Sequence, residues 1–310
     1  MNEKSGIFLS VVIPVYQSAS SLEALIRRLG SVLQGISAQV ELILVDDGSS
    51  DGSWDLIQKA ADTDARIRGL RLSRNFGQHH AIAAGLDASV GEWTVVMDAD
   101  LQDLPEEIPH LLSKAQHGYE VVLGRRMHRK DVWHKTLLST LFYRVFRYMS
   151  GFSQDPAVGN FGIYHRKVIG ELVQMRESIR YFPALVHWLG FRQGTFDVQH
   201  GHSVTGKSNY GFRSRVHLGV NAVLSFSDKP LRLTVKLGFV IALMGFIFAL
   251  VTLFRYFSGS IAIQGYASLI VSIWMLSGLI LMTLGVVGLY VGRIFDGVKN
   301  RPLYVVAQRT

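Results

Sequence analysis

The sequence predicts an α/β fold with a mostly parallel sheet, joined to two helices long enough to cross a bilayer. Three observations predict it. From Phe8 to Leu123, β-branched apolar runs alternate with runs of helical spacing. Acidic residues follow two of the strand-like runs directly, Asp46-Asp47 after one and Asp98-Ala99-Asp100 after another. Near the other end, the 56 residues Leu237–Gly292 hold one charge, Arg255.

The elements follow in order. Phe8–Ile13 reads as a buried strand that Pro14 ends. Ser20–Leu33 places Leu22, Leu25, Ile26, Leu29 and Leu33 on one helical face. Val40–Val45 is a second buried strand. The polar run Asp46–Gly52 then opens a helix over Trp54–Ala61, with Ser50 or Asp51 as its N-cap. Ile67–Leu72 is a strand, Gln78–Ala88 a helix and Trp93–Met97 a strand. Pro105 opens a helix to Gln116, and Tyr119–Leu123 is a fifth strand. Val132–Met149 and Tyr210–Phe226 interleave aromatic and basic residues, a pattern of helices at a bilayer interface or of helices packed between sheet and surface.

Composition narrows the chemistry. The 310 residues are 48% hydrophobic and 18% charged, which excludes a disordered chain. There is no cysteine, so disulfides, thiolate metal sites and a cysteine nucleophile are excluded. The net charge of +8 fits an anionic partner. No nucleic-acid-binding motif accompanies it, and the basic residues cluster after the fifth strand and around the apolar runs.

Leu237–Phe254 is 18 residues long, which is roughly 27 Å as a helix at ~1.5 Å per residue. Tyr266–Gly292 is an uncharged second run. A hydrocarbon core is about 30 Å thick, so each run is predicted to span it. The loop 256–265 has no Lys or Arg, whereas Lys229, Arg232 and Lys236 precede the hairpin and Arg293, Lys299, Arg301 and Arg309 follow it. Positive flanks place both ends in the cytoplasm. Met1–Gly6 is polar and Ile7–Val15 is too short for a signal peptide, so residues before the hairpin are expected to stay cytoplasmic. Gly288 and Gly292 have the spacing of a small-residue helix contact, which would suit a homo-oligomer.

In parallel α/β sheets, ligands bind beyond the carboxyl ends of the strands. Asp98 and Asp100, two residues apart past a buried strand, repel each other unless a cation joins them. Hard oxygen ligands suit Mg²⁺ or Mn²⁺, which share their shell with substrate phosphates.

These motifs together resemble those of a known family. Val11-Val12-Ile13-Pro14-Val15-Tyr16, Val45-Asp46-Asp47-Gly48-Ser49-Ser50-Asp51, Ser73-Arg74-Asn75-Phe76-Gly77-Gln78-His79, Met97-Asp98-Ala99-Asp100-Leu101-Gln102-Asp103 and Arg301-Pro302-Leu303-Tyr304 are similar to segments of family 2 glycosyltransferases of the GT-A fold. More narrowly, the chain resembles the polyprenyl-phosphate glycosyltransferases, which include dolichol-phosphate mannose synthase and bacterial undecaprenyl-phosphate sugar transferases. The resemblance covers nearly the whole chain, membrane helices included.

The resemblance implies a metal held by Asp98, Asp100 and Gln102 with the diphosphate of a nucleotide sugar, UDP favoured over GDP. It implies a nucleoside site at Pro14, Tyr16, Asp46 and Asp47, and a lipid-phosphate site at Arg125, Lys135 and Ser139. The expected reaction is inverting transfer to polyprenyl phosphate, undecaprenyl phosphate above all, at the cytoplasmic face of a bacterial inner membrane. A phosphate monoester is already ionised near neutral pH, so it needs positioning cations more than a base. The expected organisation is a catalytic domain over 1–205, an interface segment over 206–232, a membrane hairpin over 233–292 and a tail over 293–310. Three departures stand out. Gln17 and Ser18 replace the family's Asn and Glu, Asn160 stands where relatives often carry Asp, and Asn209 stands in place of a Lys. A hydroxyl-glycosylating enzyme is the first alternative, although its Gln-x-x-Arg-Trp motif is not found. A tethered nucleotide-sugar-binding protein without catalysis is the second. Two spans are too few for a flippase.

Overall fold

A computed structural model describes residues 6–126, 157–177, 182–199, 201, 229–258, 266–299 and 301–310. Among these, β1 (Leu9–Val15), β2 (Val40–Asp46), β3 (Ile67–Leu72), β4 (Trp93–Val96), β5 (Val121–Arg126), β6 (Val158–His165), β7 (Gln193–Val198) and β8 (Val306–Arg309) form one sheet in the order β7-β5-β6-β4-β1-β2-β3-β8. Pairings β1–β2, β1–β4, β2–β3 and β5–β7 are parallel, whereas β6 runs against both β4 and β5, and β8 runs against β3. The apolar strands pack under α1 (Ala19–Gln34), α2 (Ser53–Thr63), α3 (Gln78–Ala88), α4 (Ile108–Gln116), α5 (Arg166–Gln174) and α6 (Phe182–Trp188). Leu9, Val11, Ile13, Leu22, Leu25, Leu29 and Leu44 are fully buried in one cluster between the sheet and α1. Gly85 lets α3 lie close on the sheet, since a Cβ there would come within 2.3 Å of Val12 Cγ1.

Pro14 does not end the first strand. It sits in register with Val45, and pairing continues to Val15. The reason is which side of the strand it faces. Backbone polar groups alternate sides along a strand. Val12 accepts from Met97 on the β4 side, and Val15 accepts from Asp47 on the β2 side. Pro14 shares the Val12 side, where pairing with β4 stops at Val12, so no ladder bond needs its missing N–H.

The helix after the first acidic loop begins at Ser53, with Gly52 (φ +85°) at its N-cap position. Asp51 acts one residue earlier. Its Oδ1 accepts from the Ser53 amide, and its Oδ2 accepts from the Ala19 amide at the start of α1.

A second unit, 139–152 with 212–300, contains α7 (Lys229–Phe257) and α8 (Tyr266–Val298). Within these helices Leu231–Phe248 and Met275–Val298 are long and apolar enough to cross a membrane. The apolar side chains described there, such as Phe239, Phe246, Leu281 and Ile294, are exposed to the surroundings. Apolar surface of this kind is what the hydrocarbon core of a bilayer would bury. Both helices extend beyond the predicted apolar runs, α7 backward to Lys229 and α8 forward to Val298. The two predicted interface helices lie outside the described residues.

Candidate functional site

The chain order reverses between β1 and β4, which opens a crevice at their carboxyl ends. Four loops converge there: 16–18, 46–52, 73–78 and 98–103.

At the end of β2, Asp46 and Asp47 are both buried. Asp46 Oδ1 accepts from the Ser49 amide at 3.0 Å. Its buried Oδ2 has no hydrogen bond and faces Arg71 Nε at 3.5 Å. Asp47 spends both oxygens on backbone, accepting from the Phe76 amide at 2.7 Å and the Gly77 amide at 2.8 Å. Burial raises both carboxyl pKa values, against the pull of these hydrogen bonds. Gly48 follows with φ +72°, and a Cβ there would lie 2.7 Å from the Arg74 carbonyl carbon. Only glycine lets the two loops close on each other at this point. Asp47 thus fixes the 73–77 loop, and Asp46 keeps one buried oxygen without a hydrogen bond beside Arg71. Tyr16 stands exposed at the lip, with Pro14 buried behind it. Gln17 adopts φ +51° and donates to Ser50 Oγ from its side chain and to Ser49 Oγ from its backbone.

The second acidic loop is more crowded. Asp98 Oδ1 accepts from Gln78 Nε2 at 2.7 Å, and the Asn160 side chain also hydrogen-bonds to the Asp98 carboxyl. Two neutral amides, one from α3 and one from β6, therefore orient it. The Asp98 amide donates to Asp103 Oδ2 at 3.1 Å. Burial first, then the charges of Asp103 and Asp100, push the Asp98 carboxyl up to about 7. Burial also raises that of Asp103, which pairs with Arg126 at 3.5 Å. Asp100 Oδ1 accepts from the Gln102 amide at 3.0 Å, and Leu101 between them has φ +63°. A left-handed non-glycine residue costs about 1–2 kcal/mol. Such strain clusters at functional loops, and here it turns the acidic run back on itself. Ser21 Oγ holds the loop from below by donating to the Ala99 carbonyl at 2.8 Å.

The donor set fits a hard divalent ion of one kind. Among the described residues no three His, Asp or Glu side chains form a ready-made cage. Asp103 is committed to the Asp98 amide and Arg126. Asp98 and Asp100 remain, which suits an ion that takes one or two carboxylates and completes its shell with phosphates and water. Burial first, and the neighbouring carboxylates second, oppose the charged form of Asp98, and a bound divalent ion would favour it.

The basic residues of β5 divide by strand alternation. Arg125 forms a two-point ion pair with Asp197 on β7, at 2.5 and 3.0 Å. Arg126 points to the other face, into the acidic cluster. The structure therefore brings Pro14, Tyr16, Asp46, Asp47, Asp98, Asp100 and Gln102 to one edge and adds Gln78, Asp103, Arg126 and Asn160 to them. Arg125 is turned toward β7. Lys135, Ser139 and Asn209 lie outside the described residues. Gln78 could have been found from the sequence, since it opens a helix directly after a glycine loop.

Residues 10–172 match the family model described as glycosyl transferase family 2. The chain is 35% identical over 298 residues to the Bacillus subtilis protein named uncharacterized glycosyltransferase YkcC, covering 96% of this chain and 92% of that one. It is also 35% identical over 311 residues to the undecaprenyl-phosphate 4-deoxy-4-formamido-L-arabinose transferase of Aeromonas hydrophila, covering 99% and 95%. Among solved structures, a mycobacterial protein of 18% identity superposes with a TM-score of 0.50, over 72% of this chain and 76% of that chain. That likeness concerns the fold.

Proposed function

Because this chain belongs to glycosyl transferase family 2, we propose that it moves a sugar from a nucleoside diphosphate to the phosphate of a polyprenyl phosphate, undecaprenyl phosphate above all. The observation that carries the reading is the cluster of Asp98, Asp100 and Asp103 with one cation, Arg126, set against it at the carboxyl ends of β1 and β4. The full-length likeness to a transferase named for undecaprenyl phosphate supports the acceptor.

In this reading a phosphate oxygen of the lipid attacks the anomeric carbon. The bond from that carbon to the donor diphosphate breaks on the opposite face, so configuration inverts and a nucleoside diphosphate leaves. Asp46 accepts from the base or ribose, and Tyr16 offers its ring to the base. Asp98 and Asp100, with Gln102 beside them, hold Mg²⁺ or Mn²⁺ against the diphosphate. The bound ion supplies neutralisation of charge on the leaving group. Gln78 and Asn160 keep Asp98 aligned for that task. Arg126 receives the acceptor phosphate with a planar fork of donors, and Arg125, on the opposite side of β5, is proposed with Lys135 and Ser139 as a second set of contacts to the lipid phosphate.

The two long helices are proposed to cross a bacterial inner membrane with both ends cytoplasmic, which is where the basic flanks belong. A catalytic domain over 1–205, an interface segment over 206–232, a hairpin over 233–292 and a tail over 293–310 are proposed alongside that arrangement, with residues 301–310 of the tail belonging to the compact unit of the sheet. The test incubates purified protein with labelled UDP- and GDP-sugars, undecaprenyl phosphate and Mn²⁺. One labelled sugar is expected to enter the organic phase and to be released by mild acid. No lipid-linked label from any donor would overturn the proposal.

A further inference from the structure

The family match ends at residue 172, and residues 301–310 follow the second long helix in sequence. Yet this tail completes the sheet of the catalytic unit. In β8, Val306, Gln308 and Arg309 pair with Leu72, Arg71 and Leu70 of β3. Thr310 exchanges two hydrogen bonds with Gly69, its amide to the Gly69 carbonyl at 3.2 Å and the Gly69 amide to Thr310 Oγ1 at 2.8 Å. Tyr304 donates to Asp87, whose carboxylate also takes both donors of the Arg176 fork.

What the tail touches matters more than how firmly it is held. Arg71 on β3 donates to Gln308 Oε1 at 3.3 Å and, from its Nε, faces the buried Asp46 Oδ2 at 3.5 Å. Immediately after β3, the Ser73 amide donates to the Val305 carbonyl at 2.9 Å. That bond sets the origin of the loop whose Phe76 and Gly77 amides hold Asp47. Both acidic residues at the end of β2 are therefore supported through groups in contact with the tail. Without β8, β3 would be an edge with unpaired backbone groups, and Arg71 would lose the partner that keeps it over Asp46.

We infer that the C-terminal tail is a positioning element of the nucleotide pocket, in which β8 and Val305 place Arg71 and the 73–77 loop and thereby orient Asp46 and Asp47 toward a nucleoside diphosphate. The inference rests on the nucleoside role proposed for Asp46.

The test measures UDP binding, and GDP binding alongside it, by calorimetry on the full chain in detergent. It compares wild type, a chain ending after Tyr304, Arg71→Gln, Arg71→Lys and the truncation combined with Arg71→Gln. Truncation and Arg71→Gln are each expected to weaken diphosphate binding about tenfold, the scale of one lost charged hydrogen bond. Arg71→Lys should recover a good part of the loss, because it keeps the cation. The combined variant should bind about as weakly as the truncation alone, since removing the tail already removes the Arg71 route together with the Val305 route and the two changes are not additive. Arg71→Gln leaves β8 in place, so the test survives a truncated chain that misfolds. Wild-type binding of neither diphosphate overturns the proposed function and this inference with it. Wild-type binding that both single changes leave within about twofold, or losses that multiply in the combined variant, overturns the inference alone.

Discussion

Strand β2 carries a buried carboxylate at each end, and the two differ in how they are satisfied. Glu41 accepts from Ser10 Oγ at 2.6 Å, the Val90 amide at 2.8 Å and Arg68 Nη1 at 2.9 Å. It is closed on all sides and ties together β1, β2, β3 and the turn before β4. Asp46, five residues later on the same strand, keeps one buried oxygen without a hydrogen bond. Across the crevice, burial first and neighbouring carboxylates second raise the carboxyls of Asp98 and Asp103. Buried polar groups are normally paired, so an open one points to a ligand that completes it. The amino ends of the parallel strands serve stability, and their carboxyl ends are left incomplete for chemistry.

Variants sharpen that contrast. Asp100→Ala, at the open end, should cut sugar transfer by roughly 10³ or more, the several kcal/mol that a phosphate-bound metal supplies. Its thermal melt should stay near that of the wild type, and a melt lowered with activity would blur the distinction. Glu41→Gln, at the closed end, should do the reverse. It leaves Arg68 beside an uncharged partner and should cost about 2–3 kcal/mol in chemical denaturation, less than the ~3–5 of a fully buried pair, because Arg68 is part-exposed. The UDP affinity of the folded fraction should not change.

The third prediction concerns pH. Asp98 titrates at about 7 in the fold against 3.8 as a free side chain. Its ionisation therefore costs the metal-free fold increasing stability as pH rises from about 4 to about 7, and the full cost remains above that. A divalent cation removes that cost. The melting shift produced by Mn²⁺ should be larger at pH 8 than at pH 5.5, and equal shifts would take Asp98 out of the metal site. The smallest effect separates neighbours on β5. Arg126→Ala should raise the KM for polyprenyl phosphate about tenfold, as for a lost charged hydrogen bond, and Arg125→Ala should raise it less. The opposite order would return the acceptor role to Arg125.

Much of this architecture was legible in the sequence. Strands β1 to β4 are apolar runs, and the helices α1 to α3 carry clear spacing or loop boundaries, so their predicted ranges nearly match. Ile67–Leu72 and Gln78–Ala88 coincide with β3 and α3. Pro14 misled because its effect depends on which neighbour its side of the strand faces, and that is a tertiary fact. Strands β6 to β8 were not predicted. Gly159 and Gly162 interrupt β6, β7 is largely polar, and β8 is four residues, mostly exposed, whose partner lies more than 200 positions away. The acidic loops that meet at the crevice were readable from their motifs. The opposite facing of Arg125 and Arg126 was not, because two adjacent basic residues leave the phase of the strand undetermined until Asp197 and Asp103 are in place.

The proposed chemistry is metal-assisted transfer to a lipid phosphate at the open end of the sheet. The most direct measurement compares sugar transfer by the purified protein to undecaprenyl phosphate and to undecaprenol, each with Mn²⁺ and with EDTA. Transfer to the phosphate in Mn²⁺ alone is the predicted result. Undiminished transfer in EDTA, or equal transfer to the alcohol, would contradict the account.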